Sequence, residues 1–273
     1  MTIRHLVAAT DDSAAGRHAV ETATWLAARL DARLTVVTVT PVAGRDRIHT
    51  VAHPVVGTGS GGVATLHDRV VLTGLPGIEI VRYAEAESAD LIVLGRSRRS
   101  SASRWLIGDT GDAVARRSSV PCLFVPPGQS GLTRVLVAVD GTERGLMVLR
   151  RAAEFAGAIR IPLGAVTVES DLGGGPDRQT LIPPATRARR ISGALEQFEG
   201  QEAIRAASRR TAAPLITRYG EVVEEVLGEL SSSGADLLAI GYHRGGPSGI
   251  LEGHSVGRRL VHWAPTAVLT VPL

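Results

Sequence analysis

Two kinds of segment occur twice in this chain, and both carry side chains suited to an anion or a polar ring. The first is an acidic turn after an apolar run: Asp11-Asp12-Ser13 follows HLVAAT, and Asp140-Gly141-Thr142 follows VLVAV. Asp, Ser and Thr at such a place accept hydrogen bonds from the free amides of a helix N-terminus. An Asp at a strand end can also accept from a base or a ribose. The second is a loop rich in Gly, Ser and Arg, GRSRRSSASRWLIGDT over 95–110 and GYHRGGPSGILEGHS over 241–255. Small residues let backbone amides approach a phosphate, and a following helix adds partial positive charge. Gly and Ser are equally common in mobile surface loops, so the loop by itself does not specify a ligand.

The composition removes several chemistries. All 30 basic residues are Arg and none is Lys, which excludes a phosphate-loop lysine, a Schiff-base lysine and a lysine general base. The lone cysteine, Cys122, lies in the apolar run PCLFVP and reads as a small core residue. A net charge of +3, with Arg doublets interleaved by acidic residues and only 3% aromatics, is a solvated surface rather than a nucleic-acid footprint. No apolar run approaches the length of a membrane span, and the start MTIRHLVAAT lacks the layout of a signal peptide, so a cytoplasmic location is expected. VVGTGSGGVATL (55–66) contains Gly-x-Gly-x-x-Gly at Gly57, Gly59 and Gly62, but its apolar lead-in is two residues long and it reads as a flexible loop. His49 and His53 are four apart with no third ligand, which argues against a metal site. No G-x-S-x-G elbow is present.

The elements that must position the paired segments come from an internal repeat. At an offset of 129, Asp11 falls on Asp140, Ser13 on Thr142 and Gly16 on Gly145. Val20, Ala23, Leu26, Ala27 and Leu30 then fall on Leu149, Ala152, Phe155, Ala156 and Ile159, stepping by three and four along one helix face. Further on the offset is 146, placing DLIVLG (90–95) on DLLAIG (236–241) and PCLFVP (121–126) on AVLTVP (267–272). The first copy is thus 17 residues shorter between its second and third strands. The pattern predicts strands at 5–10, 34–40, 69–73, 90–95 and 121–126 and their counterparts, with helices between. Several are continuous apolar runs, as in strands covered on both faces. We expect an α/β chain of two tandem, open, parallel five-stranded sheets with flanking helices, a Rossmann-like arrangement, with domains at 1–128 and 132–273 and an exposed linker at 126–133.

Together these segments resemble the universal stress protein family over nearly the whole chain, twice. The resemblance rests on the VAxD turn, on GLPGIEIVRYAEAESADLIVLG (74–95) and on HSVGRRLVHWAPTAVLTV (254–271). Nucleotide-binding members carry Gly, two residues, Gly, nine residues, Gly and then Ser or Thr. The resemblance implies an adenine-nucleotide site for ATP or AMP, with or without Mg²⁺, built from backbone amides. In the second copy it implies Asp140 at the nucleoside, Val168 against adenine, Ile240 and Gly241 beneath it, and His243, Arg244, Gly253, His254, Ser255 and Val256 around phosphate. In the first copy it implies Asp11, Val39, Leu94, Gly95, Ser97, Arg98, Gly108 and Thr110. The second Gly of the motif is Arg in both copies (Arg98 and Arg244). Asp109 replaces Ser or Thr in the first copy, and His254 replaces the third Gly in the second.

Three functions follow as expectations: a nucleotide-binding regulatory stress protein without efficient catalysis, a nucleotide-free protein–protein module of the same fold, and a slow hydrolase using His243 or His254. The resemblance also implies pairing of last strands. Residues 121–126 and 267–272 can meet within one chain as a pseudo-dimer, and two chains can form a further homodimer.

Overall fold

Ser13 and Thr142 start the first helix of each half, as their types require. Each side-chain oxygen accepts from the amide three residues on, Gly16 and Gly145. In this computed structural model the described residues are 3–40, 53–58, 64–98, 105–106, 109–129, 131–169, 182–198, 215–243 and 256–273. The first half contains β1 (His5–Ala9), α1 (Ala14–Leu30), β2 (Arg33–Thr40), β3 (His53–Thr58), β4 (Ala64–Thr73), α2 (Pro76–Ala86), β5 (Leu91–Gly95), β6 (Ser97–Arg98), β7 (Trp105–Leu106), α3 (Asp109–Arg117) and β8 (Cys122–Val125). The second contains β9 (Val135–Ala138), α4 (Glu143–Ile159), β10 (Leu163–Glu169), α5 (Pro184–Phe198), β11 (Leu215–Tyr219), α6 (Val222–Ser233), β12 (Leu237–Tyr242), α7 (Val256–Trp263) and β13 (Ala267–Pro272).

The halves repeat each other in backbone detail. Asp12 and Gly141 both have positive φ, as do the helix C-caps Asp31 and Arg160 and the turn residues Gly74 and Gly220. Each pair is related by the sequence offset of its region. The helix faces pack as the periodicity requires: Ala23, Leu26 and Ala27 are buried, with Val20 and Leu30 packed partly against the same core.

Apart from the antiparallel β3–β4 pair at its edge, the strands of each half pair in parallel, with β1 between β2 and β5 and β9 between β10 and β12. The two sheets, however, are one. Eleven strands form a continuous sheet in the order β11-β10-β9-β12-β13-β8-β5-β1-β2-β4-β3. The seam is antiparallel: Cys122 pairs with Thr270, Leu123 with Leu269, and Phe124 with Val268. The intrachain pairing of last strands is thereby realised.

Alternation along the strands sends residues to two cores that each run across the seam. Leu6, Leu123 and Leu269 face one core with α1, α4 and α5; Val7, Phe124 and Val268 face the other with α2, α3, α6 and α7. No helix among the described residues is long and apolar enough to cross a membrane.

Two expectations change. The segment 55–66 is not simply a loop, because β3 and β4 form an antiparallel hairpin with Gly57 opposite Thr65; Gly59, Gly62 and His49 lie outside the described residues. β4 pairs with β2 as β11 pairs with β10, and β3 adds an edge strand that has no counterpart among the described residues of the second half. The linker is not merely exposed. Gln129 donates to the Asp236 carbonyl and accepts from the Ala267 amide, Thr133 donates to the Asp236 carboxylate, and Leu132 is buried. Cys122 is buried as expected, and burial pushes its thiol up to about 12.

Candidate functional site

The first strand of each half lies where the strand order reverses, between neighbours reached by chain on opposite sides. In open α/β sheets the crevice at the carboxyl ends of the strands at this point is the natural ligand position. Both acidic turns stand there. Asp11 Oδ1 accepts from the Ser13 amide at 3.0 Å, and Asp140 Oδ1 accepts from the Thr142 amide at 3.0 Å and its hydroxyl at 2.7 Å. The Ser13 hydroxyl holds the Asp11 carboxyl below its usual range, against a smaller opposing effect of burial. Both carboxylates are exposed.

A glycine lies beneath each carboxylate. A Cβ at Gly16 would stand 2.6 Å from Thr10 Oγ1 and 2.8 Å from Asp11 Oδ1, and one at Gly145 would collide with Asp140 Oδ1. The absent side chain lets the carboxylate fold back over the first helical turn. The sequence alignment contained this signal, since Gly16 and Gly145 occupy the same repeat position.

The structure gathers Asp11, Val39, Leu94 and Gly95 at one strand-end cluster, and Asp140, Val168, Ile240, Gly241 and His243 at the other. Leu94 and Ile240 are buried, Val39 and Val168 half-buried, and His243 exposed. Gly95 has a packing reason for its identity: a Cβ there would run into the backbone carbonyl of Ala15 at the start of α1. At Gly241 the neighbours are the tip of Leu273 at 2.7 Å and Val148 at 3.1 Å, side chains that can yield.

In the first loop Ser97 and Arg98 form β6, paired in backbone register with Leu106 and Trp105 of β7. Its base is a small hairpin rather than an open run into the next helix. Thr110 sits half-buried in the first turn of α3. In the second half Val256 opens α7 and is exposed. Gly108, Arg244, Gly253, His254 and Ser255 lie outside the described residues.

Two arginines stand at these sites unannounced by the sequence. In the first half Arg69, on β4, pairs with the Asp12 carboxylate at 3.1 Å. In the second half Arg187, near the start of α5, bonds Glu169 at 2.7 Å and reaches the Val168 carbonyl at 3.4 Å. Its Cγ lies 2.5 Å from where a Cβ of Gly141 would be. The Arg187 and Glu169 side chains are only 17% and 13% exposed. Arg190, one turn further, pairs with Glu143 at the start of α4. These contacts depend on how α5 folds over β10, which local patterning does not reveal.

The fold and the paired strand-end sites define a tandem α/β protein of the Rossmann-like class. The family model described as "Universal stress protein family" matches residues 2–55, 59–126 and 131–272. The chain belongs to the universal stress protein family. Its fold is similar over its full length to a universal stress protein from Archaeoglobus fulgidus DSM 4304, with a TM-score of 0.71, 16% identity and 99% of that chain covered. A putative universal stress protein from Pseudomonas aeruginosa UCBPP-PA14 gives a TM-score of 0.66 at 16% identity, with coverage of 99% of this chain and 93% of that one. In sequence, the chain is similar to the universal stress protein MJ0531 of Methanocaldococcus jannaschii, 38% identical over 55 residues. That match covers 20% of this chain and 32% of the relative's length.

Proposed function

We propose that the chain is a cytoplasmic regulatory stress protein that binds an adenine nucleotide, ATP or AMP, in its second half without efficient turnover. The observation that carries this reading is Asp140. Its exposed carboxylate is fixed by Thr142 at the switch point of the sheet, beside Val168, Ile240 and Gly241. These residues fit a nucleoside end: a carboxylate for polar hydrogens, a half-buried aliphatic surface for a ring, and a glycine strand end. The family resemblance assigns phosphate to the loop after β12, with Mg²⁺ entering as the companion of the phosphates. A chain without lysine holds phosphate through amides and arginines, and binding by amides alone stabilises bound and transition states similarly, which favours binding over turnover.

The test is to denature purified protein, identify released nucleotides by mass spectrometry, and measure phosphate release from ATP by the intact chain. Released AMP or ATP with turnover at background supports the reading. Turnover abolished by His243→Ala supports the hydrolase instead.

One observation favours a second reading, a nucleotide-free interaction module. Arg187 lies on Gly141 and is tied to Glu169 and the Val168 carbonyl, within the space a base would approach. On that reading Arg187→Ala gains nucleotide binding that the wild-type chain lacks.

A further inference from the structure

The antiparallel seam relates the two halves by a pseudo-two-fold axis, and the sequence offset of 146 locates it. Leu123 pairs with Leu269, its own repeat counterpart, while Cys122 and Phe124 pair with each other's counterparts. Positions near the axis therefore face their own equivalents, as in an isologous dimer.

At that axis the repeats have diverged in charge. Asp112 on α3 and Arg258 on α7 occupy the same repeat position, and they face each other with Arg258 Nε 3.6 Å from Asp112 Oδ1. Asp112 also pairs with Arg116 at 3.2 Å and accepts from the Tyr242 hydroxyl at 3.4 Å. The Asp112 and Tyr242 side chains are largely buried in this contact. Tyr242 is itself the repeat counterpart of Arg96, and the two cross the axis in opposite directions. Arg96 is fully buried and donates to the Val261 carbonyl at 2.5 Å and to the Thr266 carbonyl, at the C-terminal end of α7 where a cation is favoured.

We propose that Asp112 and Arg258 make this surface selective for the opposite half: the partner it fits is a C-terminal half for each N-terminal half, and pairing of like halves between chains is disfavoured. Two N-terminal halves meeting on the same axis would bring Asp112 against Asp112. Two C-terminal halves would bring Arg258 against Arg258 and leave each Tyr242 hydroxyl without its carboxylate. Like charges in a partly desolvated contact suppress the wrong pairing more than opposite charges strengthen the right one. The identity of any ligand does not enter this inference.

The test uses the intact chain. Asp112→Arg and Arg258→Asp each place like charges on the axis, and each lowers the thermal midpoint by roughly 3–6 °C. The double reversal Asp112→Arg/Arg258→Asp recovers most of that loss, short of all of it because Arg116 stays. The two single variants, co-expressed with different tags, co-purify as a mixed pair, since each supplies the charge that the other's half lacks. Two differently tagged wild-type chains do not. A double reversal no more stable than the summed single losses overturns the proposal. So does co-purification of the single variants no greater than that of the wild-type chains.

Discussion

Leu123 lies in register opposite Leu269, the residue that the repeat makes its twin, and both side chains are buried in one core shared by the two halves. A seam of this kind couples the halves energetically, because no core residue at the axis belongs to one half alone.

The first prediction concerns cooperativity. Intact chain unfolds in one transition, with calorimetric and van't Hoff enthalpies equal. Leu269→Ala removes a buried side chain at the seam and costs about 2–5 kcal/mol. It lowers the single midpoint instead of splitting the curve. Two resolved transitions in the wild-type protein would show that the halves fold independently despite the seam.

The second concerns alkaline pH. Burial, followed by the Asp112 charge, raises the Tyr242 hydroxyl from 10.0 to about 12, and burial raises the Cys122 thiol from 9.0 to about 12. Both acids stay protonated in the folded chain after their unfolded counterparts ionise, so the folded state then binds more protons. Stability from these groups is complete below pH 9 and is lost as pH rises from about 9 to about 12. Denaturation midpoints followed over that range should fall, and Tyr242→Phe should flatten the upper part of the decline. A thiol reagent at pH 8 should label Cys122 only after unfolding; prompt labelling of folded protein would contradict its burial.

The repeat, the parallel order and the helix caps were legible because local residue types enforce them. Ser13 and Thr142 can cap only at a helix start, and Val20 through Leu30 step along one face. The β3–β4 hairpin was not legible, because the glycines of GTGSGG read as a loop and the strand tendency of Val55 and Val56 covered too few residues. Arg96 and Arg187 were hidden for another reason. A charged side chain in a sequence reads as surface, and only the distant carbonyls of Val261 and Thr266 explain why Arg96 is buried, and the carboxylate of Glu169 why Arg187 is half-buried. The Asp112–Arg258 contact was present in the 146-residue offset, but its meaning required the seam.

The third prediction uses the glycine beneath the candidate carboxylate. A methyl at position 145 collides with Asp140 Oδ1, and one at position 16 meets Thr10 Oγ1 and Asp11 Oδ1. Gly145→Ala should weaken nucleotide binding at least tenfold by displacing Asp140, while Gly16→Ala leaves affinity unchanged. Equal affinity in wild type and Gly145→Ala would mean that the Asp140 position does not matter to the ligand.

The fourth concerns Arg187. Arg187→Ala leaves Glu169 in a largely buried place without its cation, at a cost of roughly 1–3 kcal/mol. Arg187→Ala/Glu169→Ala should be more stable than Arg187→Ala alone, measured by urea denaturation. A double variant less stable than either single one would place the stabilisation elsewhere.

The most direct measurement is a calorimetric titration of ATP and of AMP, with and without Mg²⁺, into intact wild type, Asp140→Ala and Asp11→Ala. The account predicts one site per chain, lost in Asp140→Ala and retained in Asp11→Ala. No heat from either nucleotide at millimolar concentration, or a site that survives Asp140→Ala, would contradict it.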